Sequence, residues 1–246
     1  MDDRMNDYLT RQRAFWNTPN LEVARFQRVH TDGERSESAW RELASRDAAV
    51  LFEGLEPMPD WTILEIGCGV GRIVEVLQRQ THFGRYVGVD ISESMISFAR
   101  QCVGMDPRCE LYVNNGHALP MVADGVIDFG YAVDVFIHIY DVDVVGNYLR
   151  EISRVLNNAG RFRLNVRRWD PKRAFGGSLG GRIARSLYET GIWSAGEHRW
   201  RPGERTGFDG NQYTANDLRR IVGRSGLRIT SMTPRPDQIW CTLGKV

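Results

Sequence analysis

Lysine is almost missing from this chain. Of 32 Lys and Arg residues only Lys172 and Lys245 are lysine, and no Gly-Lys-Ser/Thr run exists, which excludes a phosphate loop of the nucleotide-hydrolase kind. Cysteine is also scarce: Cys68, Cys102, Cys109 and Cys241 contain no Cys-x-x-Cys pair. A disulfide framework and a zinc site are therefore not expected, no other metal is expected, and a reducing cytoplasm is the expected compartment. Charge of one sign is not in excess, since the formal net charge is +1, so the whole-molecule field gives no reason to expect nucleic acid as a partner. No apolar run approaches the roughly 18 residues of a membrane span. The opening Met1-Asp2-Asp3-Arg4 is polar, so no secretory signal is expected. Internal repeats are absent as well. What remains is ordinary for one large α/β domain: 246 residues, 42% hydrophobic and 26% charged.

The most informative stretch is Ile63-Leu64-Glu65-Ile66-Gly67-Cys68-Gly69-Val70-Gly71-Arg72-Ile73-Val74. A short apolar run ends in a carboxylate and three alternating glycines, then passes into helical periodicity. This predicts a buried strand, a tight turn open to a ligand, and a helix starting at Arg72. Glycine admits positive φ and lets a ligand approach the backbone. The free N–H groups at the helix start suit a carboxylate or phosphate. A dinucleotide fingerprint would need a third glycine where Arg72 stands. A glycine-rich turn without a ligand is the plain alternative at this point.

Downstream, alternation of strand-like and helical segments continues. Strands are expected at Thr62–Ile66, Arg85–Asp90, Glu110–Val113, Val126–Val133 and Arg161–Val166. Helices are expected at Arg72–Arg79, Ser92–Gln101 and Gly146–Leu156. Leu227–Thr233 and Gln238–Leu243 complete the sheet as an antiparallel pair, after a helix that Thr214 caps. Residues 1–57 form a helical arm in this reading, with Phe15, Trp16, Phe26 and Trp40 pinning it or roofing a site. Residues 167–212 interrupt the pattern with glycines, tryptophans and a helix at Arg182–Thr190. Between 161 and 205, 11 basic residues face four acids, a local excess of +7.

Four segments carry a family resemblance. Glu65-x-Gly67-x-Gly69-x-Gly71 is similar to the first motif of the class I S-adenosylmethionine-dependent methyltransferases. Val89-Asp90-Ile91-Ser92-x-x-Met95-Ile96-x-x-Ala99-Arg100 resembles that family's continuation. Asn115-Gly116-His117-Ala118-Leu119-Pro120 resembles its adenine turn, with Asn115 where Asp is usual. Asp128-Phe129-Gly130-Tyr131-Ala132, with Val135-Phe136-x-His138-Ile139, resembles its fourth motif. The resemblance implies a three-layer Rossmann-like α/β sandwich with a seven-stranded, mostly parallel sheet and an antiparallel last strand. It divides the chain into a cap or lid at 1–57 and a methyltransferase domain at 58–246, with an acceptor-binding insertion at 167–212.

It further implies S-adenosyl-L-methionine as cofactor and S-adenosyl-L-homocysteine as product. The turn residues Gly67, Cys68, Gly69 and Gly71 would cradle the methionine part, with Glu65 or Arg72 meeting its charged ends. Asp90 would hold the ribose, as an acid at the end of a second strand does for any nucleoside. Ile91, Met95, Asn115, Gly116, His117, Ala132 and Val133 would complete the adenosine site. His138 is the candidate general base, because imidazole titrates near neutrality. Trp16, Trp169, His198, Trp200 and Tyr213 are candidate acceptor contacts, offering faces for a sugar or aromatic ring. The acids Asp134, Asp141 and Asp143 are spaced too loosely to predict a metal. The expected reaction is O-methylation of a small polar acceptor, such as a sugar or glycan hydroxyl. N-methylation of an amine, a non-catalytic cofactor-binding module and an NAD oxidoreductase stay open, as does a homodimer.

Overall fold

The computed structural model describes residues 3–17, 20, 37–55, 57–80, 83–169, 178–190 and 210–246. The helix expected over Leu21–Val29 with Phe26, most of the 167–212 insertion, and His198 and Trp200 lie outside these residues. Two helices open the described chain, α1 (Asp3–Trp16) and α2 (Glu37–Leu51). There follow β1 (Thr62–Ile66), α3 (Arg72–Gln80), β2 (Arg85–Asp90), α4 (Glu93–Val103), β3 (Cys109–Val113) and β4 (Ile127–Ala132). A 3₁₀ turn, Phe136–His138, leads to α5 (Val142–Val155) and the long β5 (Leu156–Arg168). The remainder is α6 (Leu179–Glu189), β6 (Gln212–Tyr213), α7 (Ala215–Gly223), β7 (Leu227–Pro234) and β8 (Gln238–Lys245).

The strands form one sheet in the order β3-β2-β1-β4-β5-β8-β7. β3, β2, β1, β4 and β5 pair in parallel, whereas β8 runs antiparallel to both β5 and β7. The expected seven-stranded path is therefore present. A two-residue strand, β6, adds an eighth by pairing in parallel with Arg167 and Arg168 of β5.

Side-chain alternation builds the layers. Along β1, Leu64 and Ile66 enter one cluster, with Val144, Tyr148, Leu149 and Ile152 of α5 and with Tyr8 and Leu9 of α1. Ile63 points the other way, into a cluster with Leu51, Ile73, Leu77, Ile96 and Ala99 from α2, α3 and α4. α2 is also tied to the sheet by a buried-side cap. Arg163 of β5 donates from Nη1 to the carbonyls of Val50 (3.0 Å) and Leu51 (2.6 Å), and both its terminal nitrogens reach Glu53 (3.2 Å). A cation at a helix C-terminus satisfies carbonyls that the helix itself leaves free.

Two boundaries differ from the periodicity reading for the same reason. α4 starts at Glu93 because Ser92 is its N-cap, accepting from the Met95 N–H. α5 starts four residues before the expected Gly146 because Asp141 caps it, accepting from the N–H groups of Asp143 and Val144. Asp141 is thereby committed to a helix end. Among the described residues no group of three or more His, Cys, Asp or Glu is placed to hold a metal ion. No helix among them is long and apolar enough to cross a membrane.

Candidate active site

The carboxyl ends of β1, β2, β3 and β4 meet at a cleft of about 950 Å³, counted to its open mouth. Its floor is the turn after β1. Gly67, Gly69 and Gly71 take φ of 72°, 54° and 82°, in the left-handed region that a side chain resists. The N–H groups of Gly67 and Cys68 both donate to the Val89 carbonyl, at 2.7 and 3.0 Å, which fastens the turn to β2. Gly69 borders the cleft, and a Cβ built on it meets no protein atom within 4 Å. Open space directly above a backbone turn is what a ligand lying on that turn requires.

Asp90 ends β2 at the rim. Its Oδ2 accepts from the Gly69 N–H and its Oδ1 from the Ser92 N–H, both at 2.9 Å, so the carboxylate is held between the two turns while bordering the cleft. Ile91 and Met95 line the same wall. Gly116 does so with φ of 87°, and a Cβ there would stand 2.7 Å from Ile91 and 2.8 Å from Leu9. The opposite wall comes from β4 and its 3₁₀ turn, where Asp134, Val135, His138 and Ile139 face the cleft. α1 covers the top with Tyr8, Leu9, Gln12 and Trp16, and Trp40 of α2 closes a side. The Trp16 ring meets the His138 ring edge-on, with centroids 5.2 Å apart.

Several expected site residues stand elsewhere. Glu65 does not line the cleft; it is 3% exposed beneath the turn, where the hydroxyls of Tyr86 and Tyr131 donate to its Oε2. It points inward because it alternates with Leu64 and Ile66 along β1. Burial, and then the Glu65 charge, push both phenols well above their ordinary pKa, so they serve as permanent donors. Leu at position 65 would orphan two buried hydroxyls, each worth about 1–3 kcal/mol. We expect Glu65→Leu to lower unfolding free energy by about 3 kcal/mol in urea titrations. Unchanged stability would return Glu65 to the ligand.

Asn115 also turns away. Its Oδ1 accepts from the N–H groups of His117 and Ala118, closing a local turn, and the preceding Asn114 faces the cleft instead. His117, Ala132 and Val133 are not part of the lining, the last two being buried in the core. Trp169 is buried at 5% exposure, and its backbone N–H donates to the Tyr213 carbonyl. Tyr213 borders a separate groove between α5 and α7. Both act as core at the β5–β6 junction, because β6 folds the end of the insertion back onto the sheet.

Arg72 lines the cleft but is already engaged: it pairs with Asp47 of α2 at 2.6 Å and lies 5.8 Å from the Trp40 ring centroid. Cys68 lines it too, and burial, and then Asp90 and Glu65, push its thiol pKa up. The acids Asp134 and Asp141 are spent on structure. Asp134 accepts from Asn165 at 2.6 Å, and Asp141 caps α5.

Sequence reasoning missed Tyr8, Leu9, Gln12, Asn114 and Tyr148, all of which line the cleft. For α1 a signal existed. Met5, Tyr8, Leu9 and Gln12 are its buried positions, and a glutamine on an otherwise apolar stripe is a polar group that needs a partner.

A family described as a methyltransferase domain matches residues 64–164. An uncharacterized 37.1 kDa protein of a Streptomyces fradiae transposon is 31% identical over 177 residues, covering 65% of this chain and 50% of that protein. Methyltransferase GfsG of Streptomyces halstedii is 33% identical over 124 residues, 49% of this chain and 42% of its own length. The chain thus spans about half the length of these curated relatives, or somewhat less. Among solved structures, geranyl diphosphate C-methyltransferase of Streptomyces coelicolor A3(2), in complex with Mg²⁺, geranyl diphosphate and S-adenosyl-L-homocysteine, superposes with a TM-score of 0.64. The match has 14% identity and covers 97% of this chain and 98% of that one, a likeness of fold.

Proposed function

We propose, since this chain belongs through residues 64–164 to the class I S-adenosylmethionine-dependent methyltransferases, that it transfers a methyl group to an oxygen of a small acceptor. The single observation carrying this reading is the open floor above Gly69 beside the Asp90 carboxylate. A nucleoside whose tail lies over a glycine turn needs that pair of features. When bound there, the cofactor supplies a methyl already activated by a positively charged sulfur.

The residues present fit such a group. Asp90 would hold the ribose hydroxyls, with Ile91, Met95 and Gly116 around the base and the backbone of Gly67–Gly71 under the methionine part. Asn114 takes the place beside the base first assigned to Asn115. Arg72, held in place by Asp47, borders the cleft and would meet the carboxylate end of the methionine. The chain's remaining task is alignment and exclusion of water, and positioning alone contributes about 7–11 kcal/mol in ideal cases. Trp16 and Trp40 supply the apolar cover.

A hydroxyl acceptor must also lose a proton. His138 borders the cleft at the carboxyl edge, next to Trp16, and its imidazole would accept that proton. An acceptor with a flat or apolar face, a sugar ring included, would rest on Trp16 or Trp40. The helical arm then acts as the lid, through Tyr8, Leu9, Gln12 and Trp16 of α1. A purely sensing module would not need this lined space next to His138. We expect His138→Ala to retain cofactor affinity within about twofold and to lose roughly 100–1,000-fold in kcat, in line with one acid–base group. Full turnover by that variant would remove His138 as the base.

A further inference from the structure

Gln12 is the one cleft-lining side chain of α1 with an amide head. It is 7% exposed, at a position where α1 buries Met5, Tyr8 and Leu9. The Trp16 Nε1–H donates to it at 3.0 Å. An indole nitrogen only donates, so the atom it meets must be the carbonyl oxygen Oε1, which fixes the amide's orientation. The Nε2 amino group is left, with two N–H donors and no hydrogen-bond partner among the described residues. That amino group opens on the cleft and is not a buried orphan, so water meets it when the cleft is empty, and a ligand that displaces this water must offer an acceptor atom in its place.

The same Trp16 ring that fixes Gln12 also contacts the His138 ring. One tryptophan therefore holds two groups of opposite character at the edge of the cleft: a donor that cannot accept and an imidazole that can accept a proton. Resting on the methyltransferase reading above, we propose that Gln12 selects the acceptor atom, favouring a hydroxyl oxygen over an amine nitrogen.

The reason is a count of lone pairs. A hydroxyl oxygen has two: one takes the N–H of Gln12, the other attacks the methyl carbon, and the O–H proton passes to His138. The new bond is oxygen to methyl carbon, and the bond broken is methyl carbon to sulfur, whose pair stays on the neutral thioether. A neutral amine has a single lone pair, which must make the attack. It then has nothing to offer Gln12, whose donors stay unpaired. Discrimination by a buried group left unpaired is larger than that from a missing methylene.

The test uses the full chain and pairs of acceptors with a common skeleton: phenol and aniline, cyclohexanol and cyclohexylamine, glucose and glucosamine. Transfer of a labelled methyl is measured for wild type, Gln12→Leu and Gln12→Glu, with calorimetry of S-adenosylhomocysteine binding on each. The wild type should label oxygen in at least one pair. Gln12→Leu should lower the oxygen-to-nitrogen ratio of kcat/KM at least tenfold while cofactor affinity stays within twofold. Gln12→Glu, which keeps the Trp16 contact and replaces the donor by an acceptor, should lower it further. A ratio unchanged in both variants overturns the proposal, as does a wild type that labels nitrogen alone.

A second readout does not depend on turnover. In protein saturated with S-adenosylhomocysteine, the side-chain amide signal of ¹⁵N-labelled Gln12, identified by its loss in Gln12→Leu, should move on adding phenol or cyclohexanol and not on adding the amines. A signal that moves with S-adenosylhomocysteine alone assigns Gln12 to the cofactor and refutes the proposal, and so does a signal unmoved by every hydroxyl compound. Failure to bind S-adenosylhomocysteine at all would instead strike at the methyltransferase reading itself.

Discussion

Gly69→Ala is expected to fold and to lose its cofactor. The added methyl meets no protein atom within 4 Å, so the folded chain bears only the strain of a side chain at φ 54°, about 1–2 kcal/mol. The same methyl occupies the floor on which the methionine part of the cofactor would rest. We expect the affinity for S-adenosylhomocysteine to fall by roughly 100-fold, about 2.7 kcal/mol, with a cooperative thermal transition retained. Gly67→Ala is the informative contrast. There the methyl would stand 2.3 Å from Cγ2 of Val135, so stability and binding should fall together. Equal affinity in Gly69→Ala and wild type would mean that no ligand lies on the turn.

Gly210→Ala is expected to disable turnover from outside the cleft. Gly210 passes so close to the 3₁₀ turn that a Cβ would stand 2.0 Å from the Ile137 carbonyl oxygen and 2.9 Å from the His138 nitrogen. Both are backbone atoms and cannot swing aside. Next to it, Asn211 donates from Nδ2 to the Tyr140 carbonyl at 2.7 Å, so residues 210–211 clamp the segment that carries His138. A displacement of about 1 Å at a reacting group can cost on the order of 100-fold in rate. We expect kcat to drop by at least about tenfold and cofactor affinity to hold within twofold, because Asp90 and Gly67–Gly71 lie on other strands. Loss of cofactor binding in step with kcat would show a general collapse of the rim.

The sheet and the glycine turn were legible because each rests on local rules. Glycines at every second position after an apolar run require a turn with positive φ, and Gly67, Gly69 and Gly71 adopt it. Asp90 could be placed at the rim by counting to the end of a second apolar run. What escaped depends on the direction of a single side chain. Asn114 and Asn115 are neighbours at the end of β3, and which one faces the cleft is decided by the Asx turn that Asn115 makes with His117 and Ala118. Glu65 looked available because it precedes the turn, but strand alternation sends it down to Tyr86 and Tyr131.

Trp169 and Tyr213 read as acceptor contacts because aromatic residues in an insertion suit either a pocket or a core. The β5–β6 pairing, a contact across more than forty residues, makes them core. Asp141 was set aside as a metal ligand on spacing, but its role as a helix cap was missed; its position one residue before a helix was the signal. Trp16 went the other way. An aromatic residue at the end of an N-terminal helix became part of the cleft because α1 lies across the carboxyl edge, where the Ser92 hydroxyl is within hydrogen-bonding reach of the Trp16 carbonyl (3.1 Å) and of Asn17 Oδ1 (2.8 Å).

The most direct test of the central claim, that this cleft holds the adenosine of a sulfonium cofactor, is titration calorimetry of the full chain with S-adenosylhomocysteine and, separately, with NAD⁺. The account predicts one S-adenosylhomocysteine site per chain, weakened at least tenfold by Asp90→Ala, and no heat from NAD⁺. Saturable binding of NAD⁺, or no binding of S-adenosylhomocysteine by a folded chain, would contradict it.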